Sequence, residues 1–342
     1  MDMRSKTLLP METPNELFGL ILYPVAEEIR ILQQDILWTP EEIPVEKDVN
    51  DFRQNMLPEQ FNLVSVTLDS FVFTEQEVGN TWAEISSWFP HSEIDGVATQ
   101  IAAVEKAVHA PFYQKMSDEM NIDPEDTARN QEEIVVIRDK LKMIKSITSN
   151  LANDKLLSLA TISGIEQVLL FGNFAMLKSF QANGNNLITN TIVGVDFVKN
   201  DEILHGMLAA SLHNTYIEEA KQAGVQVDIE EHTLKVHSVM REIIIHEDAV
   251  IDYIYKDIKA INDITPAQLK AFVRSRVDEV LKMLNLETLY GITSNPIADW
   301  FYKGAKSIKI HDFFISGTNS YRRSWKTENL SRLPFILKDT NV

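Results

Sequence analysis

Between Ser158 and Phe180 the chain carries Leu159, Ile162, Ile165, Val168, Leu169, Leu170, Phe171, Phe174, Met176 and Leu177. A helix this apolar belongs inside a protein. One carboxylate, Glu166, stands among those side chains. An unpaired buried charge costs far more than a helix could recover, so whatever this chain folds into has to bring a partner to Glu166.

Composition narrows what that partner can be. Cysteine is absent, which excludes disulfides, iron–sulfur clusters, thiolate zinc sites and thiol catalysis. Any bound metal is held by carboxylates and histidines. Glycine and proline number only 12 each in 342 residues, which suits long helices, and strand signals are sparse, so the expected class is all-α. The formal charge of −18 argues against nucleic-acid binding, which needs basic residues against phosphate. No run of about 18 uncharged apolar residues suggests a membrane span, and Met-Asp-Met-Arg-Ser-Lys lacks the apolar core of a signal peptide. The expectation is a soluble, cytoplasmic protein.

Along the chain, residues 1–37 read as a loosely attached lead-in with a short helix near Ala26–Gln34. Residues 38–52, interrupted by Pro40 and Pro44, are expected to wrap over a surface. From Pro58 apolar residues fall at helical spacing, and this helix carries Glu75 near its far end, with a second helical stretch running to Trp88. A third helix over about 96–120 contains Glu105, Lys106, His109 and Tyr113. Residues 132–148 form an amphipathic outer helix. The run Phe197–Gly206 holds Glu202 and His205 three apart with no breaker before Gly206, so both side chains face one way and can share a cation. Gly224 separates this helix from two more, at 236–258 and 267–284. The tail after Trp300 is basic and dotted with aromatics, including Tyr321, and suits a segment that orders on a partner. The expected boundaries are a lead-in at 1–37, a helical bundle at 38–310 and a flexible tail at 311–342.

Glu75, Glu105 with His109, Glu166, and Glu202 with His205 thus come from four helices. In ferritin-like dimetal proteins two helices each supply a carboxylate with a histidine and two others each supply one carboxylate. A carboxylate-rich site with two imidazoles suits divalent iron or manganese. The sequence resembles the small, radical-generating subunit of class I ribonucleotide reductase. The matching pieces are Trp38-x-Pro-Glu-Glu-Ile followed by Asp48, Leu57-Pro-Glu, His109-x-x-x-Tyr113, Glu166 ahead of Phe171 and Phe174, Asn200-Asp-Glu-Ile-Leu-His205, and Ser294-Asn-Pro-Ile297 before Trp300. The resemblance implies a ferritin-like bundle with additional helices and a dinuclear iron or manganese–iron centre on Glu75, Glu105, His109, Glu166, Glu202 and His205. It further implies a tyrosyl radical on Tyr113, a relay through Trp38 and Asp201, and a tail tyrosine, Tyr321, that meets the large subunit. A homodimer is expected from the resemblance and from the apolar face of Phe61–Phe73. A stand-alone ferritin-like dimetal oxidase is the alternative reading of the same ligands.

One position departs from the family. Three residues before the first metal histidine the family has Glu, and this chain has Lys106, with Glu105 one place earlier. With Glu105 inward, four carboxylates balance two divalent cations. With Lys106 inward, three negatives and one positive remain, as in the metal-free or single-metal branch. Pro111 lacks an amide hydrogen and makes the helix irregular where a bulge would turn Glu105 inward, which favours Glu105 and leaves Lys106 as the alternative.

Overall fold

The computed structural model describes residues 8–15, 20–149 and 151–301. These form twelve α-helices joined by short 3₁₀ and π turns, and no strand occurs among them beyond one isolated bridge, Ile261 to Ile264. Proline opens α1 (Pro24–Asp35), α2 (Pro58–Trp88), α5 (Pro124–Glu133) and α11 (Pro266–Met283), where its missing N–H has no partner to lose. Side-chain caps start others: Asp154 accepts from Leu157 N at the head of α7 (Lys155–Gly164), and Asp228 from Glu231 N at the head of α10 (Ile229–Ile254). The expected all-α class is what the chain adopts.

The apolar run is the axis of the bundle. α7, a π turn at Ile165–Leu169 and α8 (Leu170–Lys178) follow one another end to end, with Ile165, Val168–Phe171 and Phe174–Leu177 buried. α9 (Thr189–Gln222), α10, α11 and α2 pack around them. Residues 155–182 are long and apolar enough to cross a membrane, yet nearly all of that stretch is covered by the protein itself.

Two expectations change. α2 is one helix of 31 residues, so Glu75 lies past its midpoint and not near an end. The sequence offers no breaker between Pro58 and Trp88 except Gly79, and Gly79 serves packing: a Cβ there would meet Lys106 Cγ and Cε at 3.0 Å and Glu105 Cβ at 3.1 Å. The missing side chain lets α2 approach the segment carrying Glu105. The lead-in, expected to be loose, is packed over its described part. Leu9 and Met11 are buried, and Glu219 of α9 accepts from Met11 N at 2.8 Å and from the Tyr23 hydroxyl at 2.7 Å. The turn-rich segment does wrap the bundle, and Asp48 within it accepts from Thr191 N at 2.6 Å, tying the wrap to the start of α9. Tyr321 and the tail lie outside the described residues.

Candidate metal centre

Four stretches supply the acidic and imidazole side chains. α2 gives Glu75 and α9 gives Glu202 with His205. α3 (Ser92–Val104) runs into a π turn at Glu105–His109 before α4 (Ala110–Met120), and that turn gives Glu105 with His109. The π turn after α7 gives Glu166. A π turn inserts one extra residue and so rotates the later residues of the helix about its axis. Glu105 and His109 are therefore both fully buried in the cluster, while Lys106 lies on the exposed side with its stem across Gly79.

The six side chains form two overlapping sets. Ligand atoms of Glu75, Glu105, His109 and Glu202 all lie within 4.8 Å of one another, and so do those of Glu105, Glu166, Glu202 and His205. His109 Nδ1 is 3.0 Å from Glu202 Oε1, 3.2 Å from Glu105 Oε2 and 3.6 Å from Glu75 Oε2. His205 Nδ1 is 2.9 Å from Glu105 Oε1, 3.3 Å from Glu202 Oε2 and 3.8 Å from Glu166 Oε2. Glu105 and Glu202 belong to both sets and each offers one oxygen to each imidazole, the arrangement of bridging carboxylates. Both oxygens of Glu75 and of Glu202, Glu105 Oε1, Glu166 Oε2 and His205 Nδ1 are buried without a well-formed hydrogen bond among the described residues. Buried polar atoms left in this state demand an explanation. Two divalent cations would satisfy all of them, so the residues fit a dinuclear centre.

Electrostatics leads to the same place. Burial, then the charge of Glu105, holds the Glu75 carboxyl well above its ordinary range, and burial with Glu202 does the same to Glu166. Burial also acts against ionisation of Glu105 and Glu202. It is overcome at Glu105 by the charge of His109 and at Glu202 by the close approach of Glu166, His109 and His205, so both are lowered. Burial disfavours the charged imidazoles too, but the surrounding carboxylates raise His109 and His205 well above the usual histidine range. Without metal, Glu75 and Glu166 are thus held toward their neutral forms, Glu105 and Glu202 toward their ionised forms and both imidazoles toward imidazolium, a distribution that offsets charge within the cluster.

The family model for the small chain of ribonucleotide reductase matches residues 19–296. The chain belongs to that family. It is a small chain of ribonucleotide reductase. A probable small subunit from Invertebrate iridescent virus 6 is 24% identical, over 76% of this chain and 80% of the viral one. Among solved structures, a putative class I ribonucleotide reductase from Bacillus halodurans superposes with a TM-score of 0.73 at 16% identity, covering 82% of this chain and 99% of that one. The dimanganese(II) NrdF of Streptococcus sanguinis gives 0.68 at 16% identity, covering 83% and 98%. At these identities the superpositions carry the fold.

Around the centre of this small chain, Asp201 gathers three groups. Trp38 Nε1 and Gln33 Nε2 each donate to it at 2.9 Å, and His109 Nε2 lies 3.1 Å away. Trp38, Asp201 and His109 thus form a continuous chain. Tyr113 is fully buried, stacked on Phe71 with ring centroids 4.2 Å apart, and its hydroxyl has no hydrogen-bond partner among the described residues. Burial, then the charge of Glu75, pushes its phenol well above the ordinary value. The ordinary core tyrosine has a bonded hydroxyl, and this one does not. Sequence reasoning missed two residues. Trp82 Nε1 donates to Glu166 Oε1 at 2.5 Å; it stands seven residues after Glu75, two helical turns along the same face, which was the available signal. Gln33 Oε1 lies 3.0 Å from His205 Nε2, and nothing in the local sequence marks it.

Proposed function

We propose that Glu75, Glu105, His109, Glu166, Glu202 and His205 would hold two divalent metal ions, with Glu105 and Glu202 the two carboxylates within reach of both. The shared membership of those two carboxylates in both sets carries the reading. A metal pair in such a carboxylate–imidazole site activates dioxygen and supplies an oxidising equivalent. Iron, manganese–iron and dimanganese all suit the donor set; Glu75, where the family usually has Asp, resembles the manganese–iron members. The protein's own part is positioning and proton control. Asp201 and Gln33 bind the Nε2 atoms of the two histidines, so that each Nδ1 faces the ions. Tyr113, buried against Phe71 and Phe112, would be the residue to hold that equivalent as a tyrosyl radical. His109, Asp201 and Trp38 relay it outward to the large subunit, with Tyr321 in the tail as the next step. The chain acts as a homodimer, and Phe61, Val72 and Phe73, only partly covered by their own chain, suit the second copy. Lys106 takes no part in the centre.

Anaerobic reconstitution with iron and manganese followed by metal quantification, and then electron paramagnetic resonance after exposure to air, tests this. Two ions per chain are expected, with loss of at least one in Glu105→Ala, Glu202→Ala and His205→Ala and none in Lys106→Ala. Full stoichiometry in the Glu202 and His205 variants would sink the site assignment. Tyr113→Phe should bind both ions and lose any tyrosyl signal.

A further inference from the structure

The π turn that aims Glu166 is gripped from behind by Arg276 of α11. Arg276 Nε donates to the backbone oxygen of Gln167 at 3.0 Å, and its Nη2 donates to Gln167 Oε1 at 2.8 Å. The guanidinium lies over the Phe171 ring, 4.4 Å from its centroid, and Arg276 is 4% exposed. Gln167 passes the connection on: its Nε2 donates to Ile203 O of α9 at 3.1 Å. Its side chain fills the space over Gly206, where a Cβ would come within 2.5 Å. Ser163 adds a bond to Gly206 O at 3.1 Å. Residues 203 and 206 flank Glu202 and His205 on one side, and residue 167 flanks Glu166. The guanidinium's fixed fork can hold backbone and side-chain oxygens of one residue together, which an ammonium cannot do.

We infer that Arg276, through Gln167, is a positioning residue for one of the two metal positions, the one bounded by Glu166 and His205. Glu75 and His109, the two residues that belong to the other position alone, sit on α2 and on the first π turn, away from the residues that Arg276 and Gln167 bond. The inference rests on the dimetal reading and adds to it an asymmetry: α11, which contributes no ligand, governs one ion and not its neighbour. Glu166 needs this support because a π turn within an apolar helix gains nothing locally from its extra residue, and a ligand displaced by about 1 Å no longer matches the bond lengths a metal demands.

The test uses manganese(II) binding to the full chain in two backgrounds, measured by equilibrium dialysis and by the six-line resonance of an isolated ion. His109→Ala disables the first position and His205→Ala the second, leaving one ion each. Adding Arg276→Met to His109→Ala should weaken the remaining ion at least tenfold, and Arg276→Lys should recover part of that loss. Adding Arg276→Met to His205→Ala should change affinity less than threefold. Equal weakening in both backgrounds, or none in either, overturns the inference, as does a His109→Ala chain that binds no ion. Should Arg276→Met not fold, Gln167→Met, which removes the side-chain links and keeps the backbone bond, is expected to give the same asymmetry, and its absence counts equally against the inference. A wild-type chain that binds fewer than two manganese ions would instead refute the dimetal reading.

Discussion

At the scale of single residues the centre is set by what lies one bond behind it. Gln33 spans two of these supports, its amide nitrogen on Asp201 and its carbonyl oxygen on His205 Nε2. Removing such a support typically costs about 10–100-fold in metal affinity. Gln33→Leu is therefore expected to lower affinity by about that factor while helical content stays unchanged, measured by competition with a chelator of known strength; wild-type affinity would show that packing alone orients His205. Tyr113 makes the opposite prediction. Its buried hydroxyl has no partner among the described residues, so Tyr113→Phe breaks no hydrogen bond there and removes an unmet polar group. Stability in urea should stay the same or rise, by about 1 kcal/mol at most. A loss larger than that would mean that the hydroxyl is bonded in solution, and would favour the ordinary core-tyrosine role.

At the scale of elements, the tightest test of the packing is the ion pair between α6 (Val135–Thr148) and α10. Lys140 Nζ and Glu247 Oε1 are 2.7 Å apart and both side chains are fully buried. Glu247 reaches its place across α8, where a Cβ on Gly172 would stand 3.1 Å from Oε2. Burial raises the Glu247 carboxyl and Lys140 only partly offsets this. Breaking one side of such a pair costs about 3–5 kcal/mol, whereas replacing both by apolar groups is often neutral. Lys140→Met should thus destabilise strongly in denaturant titrations, and Lys140→Met with Glu247→Leu should regain most of the loss. Neither partner was legible in the sequence, because residues 132–148 read as an outer, solvated helix and pairing across elements leaves no local pattern. The two π turns divide in the same way. Pro111 signals the first, since a missing amide hydrogen is a local fact. The second is held by Arg276, 109 residues away, and only the fold reveals it. Helix starts were legible where a proline marked them, as at Pro58 and Pro266, whereas α10 begins at Ile229 on its Asp228 cap, ahead of the expected 236. α2 was expected as two helical stretches and is one, because nothing between Pro58 and Trp88 breaks it and Gly79 only makes room for Lys106.

For the whole molecule, the metal-free and metal-bound centres are two ways of reaching the same charge. Without metal, Glu75, Glu166, His109 and His205 are each held toward their protonated forms. With two divalent ions all four carboxylates are ionised and both imidazoles are neutral at the ligating nitrogen, so about four protons leave as two ions enter. Folded pKa values raised above the unfolded ones mean that the metal-free protein binds more protons than its unfolded chain once pH exceeds about 4.3 for the carboxyls and 6.5 for the histidines. Stability from these groups is present below those values and is lost as pH rises through the folded ones. Groups away from the centre, among them His213, lowered by burial to about 4, and Lys178, lowered by burial to about 8, titrate alike in both forms. They cancel in the difference between the two. The melting temperature of metal-loaded protein minus that of metal-free protein should therefore widen steadily from pH 6.5 to 8. Manganese added to metal-free protein in a weak buffer with an indicator dye should release about four protons per pair of ions. A gap independent of pH, or a release near zero, would mean that the carboxylates are already ionised before metal arrives and that the cluster is kept neutral by some other cation.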